Sequence, residues 1–386
     1  MTDSLVIEGR EIRTLSTKGI IENGKILVEN GKIVSIGKDI KLPREFEKIE
    51  GEIVTPGLID AHTHLGISPI ESTDLQPTGT DSSDPVTPHL KVVDGLNPLD
   101  RGFEDAVRAG ITSAVVSAGS PMAWARPVEA ITIMPGQNAV VKTNRRILND
   151  SASLKMGFGD HPKRYMSLLK MPPNTRMGII ATLRTYLEKA KAYTGDEEIP
   201  FTEKNREKLE ALVPLLKREY PAHIHVHKAG DILKMIRIAR EYNYDPVLIH
   251  ATESHLVADE IACSGTPVVF GPMIFPRRGG ELANLTNRTP AVLEEKGVLF
   301  AITTDHPCTP IEYLAVNAGL AMAEGLMDGL RPITINAAKI AGIWDRTGSL
   351  EEGKDADIAI FDGDPTEADS SVVHTIIDGK VEYGGE

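Results

Sequence analysis

Short apolar runs separated by turn residues occupy both ends of the chain, while the middle alternates such runs with helical spacing. In the first 50 residues Glu-Asn-Gly-Lys occurs twice, at residues 22–25 and 29–32. Asn-Gly supplies the positive φ angles of a tight hairpin, and the flanks Ile26-Leu27-Val28 and Ile33-Val34-Ser35-Ile36 are strand-like. The far end repeats the pattern, with a strand at Ala356–Phe361 and a hairpin over Ile376–Val381. Two strand-rich ends around an α/β middle predict one small β-sandwich assembled from residues 1–55 and 345–386.

Between them, residues 56–344 carry eight candidate strands in order: 57–61, 113–117, 139–142, 154–157, 223–227, 247–250, 267–270 and 299–303. Helical segments intervene. Ile232, Met235, Ile236 and Ala239 recur at the i, i+3, i+4, i+7 spacing of one buried face, with Asp231 placed to cap, and Leu209, Leu212, Val213 and Leu216 repeat it. Eight strands with intervening helices predict a closed parallel (β/α)8 TIM barrel. An open doubly wound sheet would carry a Gly-rich phosphate loop after an early strand, and none is present. The Pro-rich segment 66–100 follows the first barrel strand and is expected to overhang the C-terminal face.

Composition narrows the function classes. The 386 residues, 41% hydrophobic, suffice for a barrel and a companion unit. A net charge of −13 argues against nucleic acid or an anionic membrane as partner. Two cysteines, Cys263 and Cys308, make no disulfide framework. Met1-Thr2-Asp3-Ser4 lacks a basic start followed by an apolar run, and no stretch reaches the roughly 18 apolar residues of a membrane span. The expectation is a cytoplasmic protein acting on a small molecule.

The chemistry concentrates at strand ends. In Thr55-Pro56-Gly57-Leu58-Ile59-Asp60-Ala61-His62-Thr63-His64, positions two apart share a side, so His62 and His64 aim two imidazoles at one point. Buried together they need a partner, and a metal ion supplies one. His223-Ile224-His225-Val226-His227 repeats the spacing, but three ligands from one strand would spread over about 13 Å, so one or two neighbours can reach one ion. His250 ends Val247-Leu248-Ile249 as His62 ends its strand. Asp305 follows the apolar run Phe300–Ile302, where a buried carboxylate needs a cation or a proton donor. Beside a metal-bound water it could take a proton during attack and return it to the leaving group. Arg126, Arg176 and Arg184 could fork onto a substrate carboxylate, and His255 and His306 follow strand ends closely enough to reach substrate. Cys308 reads as a small buried residue rather than a nucleophile.

This set, with Gly348–Asp357 as the re-entry into the end sheet, resembles the amidohydrolase superfamily over essentially the whole chain, and more narrowly its imidazolonepropionase-related members. The resemblance implies a (β/α)8 barrel, one or two divalent cations (usually zinc) and a homo-oligomer. Aligned on Lys228-Ala229-Gly230-Asp231-Ile232, it makes His225 the fifth-strand ligand and leaves His227 beside substrate. Many members place on the fourth strand a carboxylated lysine that bridges two metals. Lys155 is one candidate for that position, Asp160 is its rival, and Lys142 is a third.

The function expected is hydrolysis of an amide, cyclic amide or peptide-like C–N bond by a metal-bound hydroxide. His62, His64, His225, His250 and Asp305 are the ligands, Asp305 the general base and acid, and the metal or His227 polarises the oxygen that becomes negative. Deamination on the same fold is the alternative, though His225 is followed by Val226-His227-Lys228-Ala229 without the carboxylate such enzymes use. A non-catalytic assembly protein is the third reading, against which stands the complete ligand set.

Overall fold

Fifteen strands run through the described residues, 4–68, 79–119, 131–193, 203–276 and 279–384 of the computed structural model. The chain opens with β1 (Ser4–Arg13), β2 (Ile20–Glu29), β3 (Lys32–Gly37) and β4 (Glu47–Pro56). Next come β5 (Leu58–Thr63), β6 (Ile111–Val116), β7 (Gly136–Lys142), β8 (Ile147–Gly157), β9 (Ala222–Val226), β10 (Pro246–His250), β11 (Val268–Phe270) and β12 (Phe300–Ile302). It closes with β13 (Ile358–Phe361), β14 (Val372–Ile377) and β15 (Lys380–Gly384).

The two chain ends do share a sheet, in the order β15-β14-β13-β4-β1-β2-β3. Its core is aliphatic, with Ile7, Ile26, Ile33 and Val54 from one end packed on Ile358, Ile360 and Ile376 from the other. One expected turn is corrected. Asn30-Gly31 makes the β2–β3 hairpin, but Asn23-Gly24 lies inside β2 with Gly24 opposite Gly9, and the β1–β2 turn forms at residues 14–19 instead. Close packing explains the glycine: a Cβ on Gly24 would meet Ile12 and Ile21 at 2.8 Å.

The second sheet runs β5-β6-β7-β8-β9-β10-β11-β12 and is nearly closed, a TIM-like barrel. All eight expected strands are present, but they are not all parallel. β7 is antiparallel to both β6 and β8. Only residues 143–146 separate β7 from β8, too few for the dozen or more that a parallel crossover requires. The reversal carries Lys142 to the end of the barrel away from the C-terminal strand ends. There it is fully buried and pairs with Asp355 (2.9 Å), Asp357 (2.9 Å) and Asp378 of the end sheet. Lys142 therefore ties barrel to sheet and is withdrawn as a fourth-strand ligand.

Helices α1 (Gly102–Arg108), α2 (Asp160–Leu168), α3 (Arg176–Tyr193), α4 (Glu203–Leu216), α5 (Ala229–Tyr242), α6 (Ala258–Ser264), α7 (Thr289–Glu295), α8 (Leu314–Ala323) and α9 (Ile335–Ile340) connect or follow the barrel strands. α5 buries Ile232, Met235, Ile236 and Ala239, as their spacing requires. Asp231 is not its cap. The helix begins at Ala229, whose N–H donates to Glu253 (2.8 Å), and Asp231 instead receives Arg176 and Lys234. α9 packs Ala337, Ala338 and Ile340 against Ile59, Val115, Ile249, Val269 and Ala301 of the strands. The described part of segment 66–100 bridges Val86 to Met134 and Lys91 to Gln137, and Gly79 accepts from Gly119 N–H (2.7 Å). These partners lie past the end of β6 and at the start of β7, so the segment covers the C-terminal face.

Two stability predictions follow from the Lys142 cluster. Lys142→Ala leaves buried Asp357 without its cation and should cost about 3–5 kcal/mol, whereas Lys91→Ala, which breaks an exposed pair with Asp150, should cost at most about 1 kcal/mol. Urea unfolding of the two variants checks this, and equal losses would contradict it. Burial tends to raise the Asp355 pKa, but hydrogen bonds from Lys32 and Lys142 outweigh it and bring the group from 3.8 to about 2. A depressed carboxylate stabilises the fold above its unfolded pKa. The margin of wild type over Asp355→Asn should therefore be full at pH 6 and shrink as pH falls from about 4 to 2.

Candidate metal centre

The C-terminal ends of β5, β8, β9, β10 and β12 meet at one buried cluster of imidazoles, a lysine and a carboxylate. Strict alternation along the strands would not bring all of them there. Ile249 packs in the apolar cluster with α9, so His250 should point the opposite way. Instead His250 takes φ 65° and Asp305 φ 53°, left-handed values that are uncommon for residues other than glycine. β5 likewise changes register against β6 between Asp60 and Thr63, just where His62 turns toward the cluster.

Two donor groups result. In the first, His62, His64 and Asp305 have ligand atoms within 4.8 Å of one another, with His62 Nε2 3.4 Å and His64 Nε2 3.5 Å from Asp305 Oδ1. In the second, His161, His225 and His227 lie within the same spacing. His250 stands between the groups, its ring 5.3 Å from His62 and 4.7 Å from His225. Lys155 Nζ is 3.4 Å from His62 Nε2, and only 1% of the lysine is exposed.

The hydrogen bonds behind the rings settle their tautomers. His64 Nδ1 donates to the Ser117 carbonyl and His250 Nδ1 to the Gly271 carbonyl, both at 2.8 Å, so each keeps a lone pair on Nε2. His64 Nε2 then faces Asp305 Oδ1, and either a proton or a metal cation between the two atoms satisfies both. Burial, with the nearby cationic Lys155, pushes the His62 pKa well below its usual value, and burial plus neighbouring imidazoles does the same to His225 and His227. Burial alone would raise the Asp305 pKa, but His250, His62 and His64 hold it well below the carboxylate range. Neutral imidazoles and an ionised carboxylate are the protonation states that metal ligation needs.

A second carboxylate organises the first. Asp60, fully buried, accepts from the Thr303 hydroxyl (2.6 Å), the Thr304 N–H (3.0 Å) and hydroxyl (2.6 Å), and the His62 N–H (3.2 Å). Burial pushes its pKa up to about 6 against those bonds. The Thr303 hydroxyl accepts in turn from Asp305 N–H (3.0 Å), and His64 N–H donates to the His306 carbonyl (2.8 Å).

The remaining expected residues fall elsewhere. Asp160 begins α2 and pairs with Arg176 (2.8 Å) and Lys163 (2.7 Å), outside both donor groups. Arg176 also reaches Asp231 (2.7 Å) and Glu281 (3.5 Å). Three carboxylates occupy it, so its expected role as a substrate fork is corrected to a structural one. Arg184 pairs with Glu241 at the surface, and His255 with the Thr289 hydroxyl (3.1 Å). Arg126 lies outside the described residues. His306 is buried and accepts the Ile311 N–H on Nδ1 (3.1 Å). His223 pairs in register with Lys155, deeper in the barrel than either group, and burial lowers its pKa to about 3.

Sequence reasoning missed Asp60, His161 and Glu281. His161 stands 5.4 Å from the His225 ring and 5.2 Å from that of His227. Glu281, 3% exposed, accepts the Asp160 N–H (2.8 Å) and His161 N–H (3.2 Å) and so clamps the first turn of α2, which carries His161. Gly159, at φ 119°, is required there, because a Cβ would lie 2.4 Å from Glu281 Oε1. Asp60 was legible as part of the Pro-Gly-Leu-Ile-Asp lead; Glu281 carries no motif.

A barrel with this ligand set at its C-terminal end defines a metal-binding hydrolase. Residues 53–381 match the model of the amidohydrolase family, and the chain belongs to that family, whose members hydrolyse C–N bonds with metal ions. A crystal structure of an amidohydrolase from Thermotoga maritima is similar over 98% of this chain and 100% of its own, at 35% identity and a TM-score of 0.89. Imidazolonepropionase of Thermoplasma volcanium is 26% identical over 89% of this chain and 85% of its own length. Amidohydrolase tasK of Hapsidospora irregularis is 25% identical over 93% of this chain, which spans only 40% of that longer protein.

Asp60→Ala should leave the Thr304 hydroxyl and the Thr304 and His62 N–H groups without this acceptor in a buried seam, while the Thr303 hydroxyl keeps the His62 carbonyl. A loss of about 3 kcal/mol is expected by denaturant unfolding, with Asp60→Asn losing less. An unchanged midpoint for the alanine variant would contradict the assignment.

Proposed function

We propose that the chain hydrolyses an amide, cyclic amide or peptide-like C–N bond of a small molecule, with Asp305 as proton carrier. The convergence of His62, His64 and Asp305, with ligand atoms within 4.8 Å, is the observation that carries this reading. His62, His64, Lys155, His225, His250 and Asp305 would hold one or two divalent cations, zinc by family resemblance, with Lys155 carboxylated if it bridges two. When bound, such a cation lowers the pKa of a water from about 16 toward 7 and polarises a carbonyl.

The chain's own groups do the rest. Asp305, held ionised by its imidazole neighbours, accepts the proton of the attacking water and delivers it to the leaving nitrogen. Among the imidazoles, His227 is suited to the developing oxyanion. Its Nδ1 lies 2.8 Å from the Thr252 hydroxyl, which can donate to it, and its buried Nε2 has no hydrogen-bond partner among the described residues. The tautomer that accepts from Thr252 carries its proton on Nε2 and can donate it to the oxygen.

The name imidazolonepropionase among the relatives supports a cyclic amide within this range. We also take residues 1–55 and 345–386 as one β-sandwich unit, 56–344 as the barrel, and the active form as a cytoplasmic homo-oligomer. No helix among the described residues is long and apolar enough to cross a membrane.

Replacing Asp305 with Asn tests the mechanism. Turnover should fall by on the order of 10²–10⁴ while bound cation, measured by elemental analysis, stays near the wild-type amount. Activity retained at wild-type rate would exclude Asp305 as the proton carrier.

A further inference from the structure

We infer that His161, His225 and His227 form an auxiliary site for a late first-row divalent cation such as zinc, whose occupation silences the enzyme; the silencing rests on the hydrolytic reading above. Neither His161 nor His227 is among the ligands named there. The three side chains are at most 6% exposed, and each offers a ring nitrogen within 4.8 Å of the other two. Their ring centroids lie 4.7 to 5.4 Å apart. The rings thus surround one point, approached from the end of β9 and from the first turn of α2.

Two of the rings have the outer partners that ligating imidazoles use. His161 Nε2 faces the Glu281 carboxylate at 3.9 Å, which leaves Nδ1 to ligate. His227 Nδ1 lies 2.8 Å from the Thr252 hydroxyl, which leaves Nε2. Three imidazole donors suit zinc, nickel or copper and not magnesium or calcium. The group that contains Asp305 contributes a negative charge and this one contributes none, so it fills second. The Thr252 hydroxyl can donate or accept. When it donates, His227 carries its proton on Nε2 and serves the oxyanion. When it accepts, the same proton sits on Nδ1 and Nε2 presents a lone pair to a cation. An occupied auxiliary site and a working oxyanion donor therefore exclude each other.

Equilibrium dialysis of the cation-loaded enzyme against rising zinc chloride, with bound zinc counted by elemental analysis, tests this. The wild type should come to hold one equivalent more than His161→Asn, and Glu281→Gln should bind that equivalent about 10–100-fold more weakly. Magnesium chloride should add nothing. Glu281→Gln keeps an oxygen for the α2 N–H groups, so the test does not hinge on the His161 variant folding. Turnover by the wild type should fall as the extra equivalent binds, and both variants should need at least about tenfold more zinc for the same loss. Equal uptake by wild type and both variants would overturn the auxiliary site and leave hydrolysis standing, as would an extra equivalent lost in His250→Asn but kept in His161→Asn. An extra equivalent that leaves turnover unchanged would overturn its silencing role. No turnover at any zinc concentration would count against the hydrolytic reading, and the uptake would still decide the site.

Discussion

The Asp60 carboxylate joins the first and last strands of a sheet that has no hydrogen-bonded ladder between them. β5 and β12 stand at opposite ends of the eight-strand order, and Asp60 reaches from one to the hydroxyls of Thr303 and Thr304 and the Thr304 N–H, just past the end of the other. Those threonines precede Asp305, and the N–H of His62 closes the same knot. The geometry between His62, His64 and Asp305 is therefore set by one buried anion two residues from the first of them. Burial raises the pKa of that anion to about 6, and the hydrogen bonds it collects oppose the shift. A charge that is costly to bury is kept where it orders the seam.

The cluster above the seam stores a second cost. Three imidazoles whose pKa burial lowers, a buried lysine and an ionised aspartate lie together, and two of the site residues hold left-handed backbone. Each left-handed residue costs on the order of 1–3 kcal/mol, which the surrounding structure must offset. The surroundings here are the Gly271 and Ser117 carbonyls that orient His250 and His64, and the Thr303 hydroxyl that receives Asp305 N–H. Farther out, Glu281, itself paired with Arg176, clamps the first turn of α2, which bears His161. At the opposite end of the barrel, Lys142 fastens the end sheet through Asp355, Asp357 and Asp378.

Much of this was legible because local chemistry and fold agree. Apolar runs ending in His62, His250 or Asp305 name both a strand and its functional end, and the other five barrel strands follow from short apolar or alternating runs. What was not legible depended on direction or on distant partners. The antiparallel β7 was announced only by the short link 143–146, a length signal that a list of strands ignores. Asn23-Gly24 has hairpin chemistry, but packing against Ile12 and Ile21 assigns it to the inside of β2. Arg176 looked like a substrate fork because Asp160, Asp231 and Glu281 are scattered through the chain and meet it only in the fold. His161 follows Asp160 directly, yet nothing local says that Glu281 will turn it toward His225.

Elemental analysis of the chain, purified without chelator or added metal, bears most directly on the claim that this cluster is a cation site. One or two equivalents of zinc, iron or manganese per chain, removed by chelation and restored by titration, are what the two donor groups predict. A chain that carries no metal and takes up none on titration would contradict the account and make the histidine cluster structural.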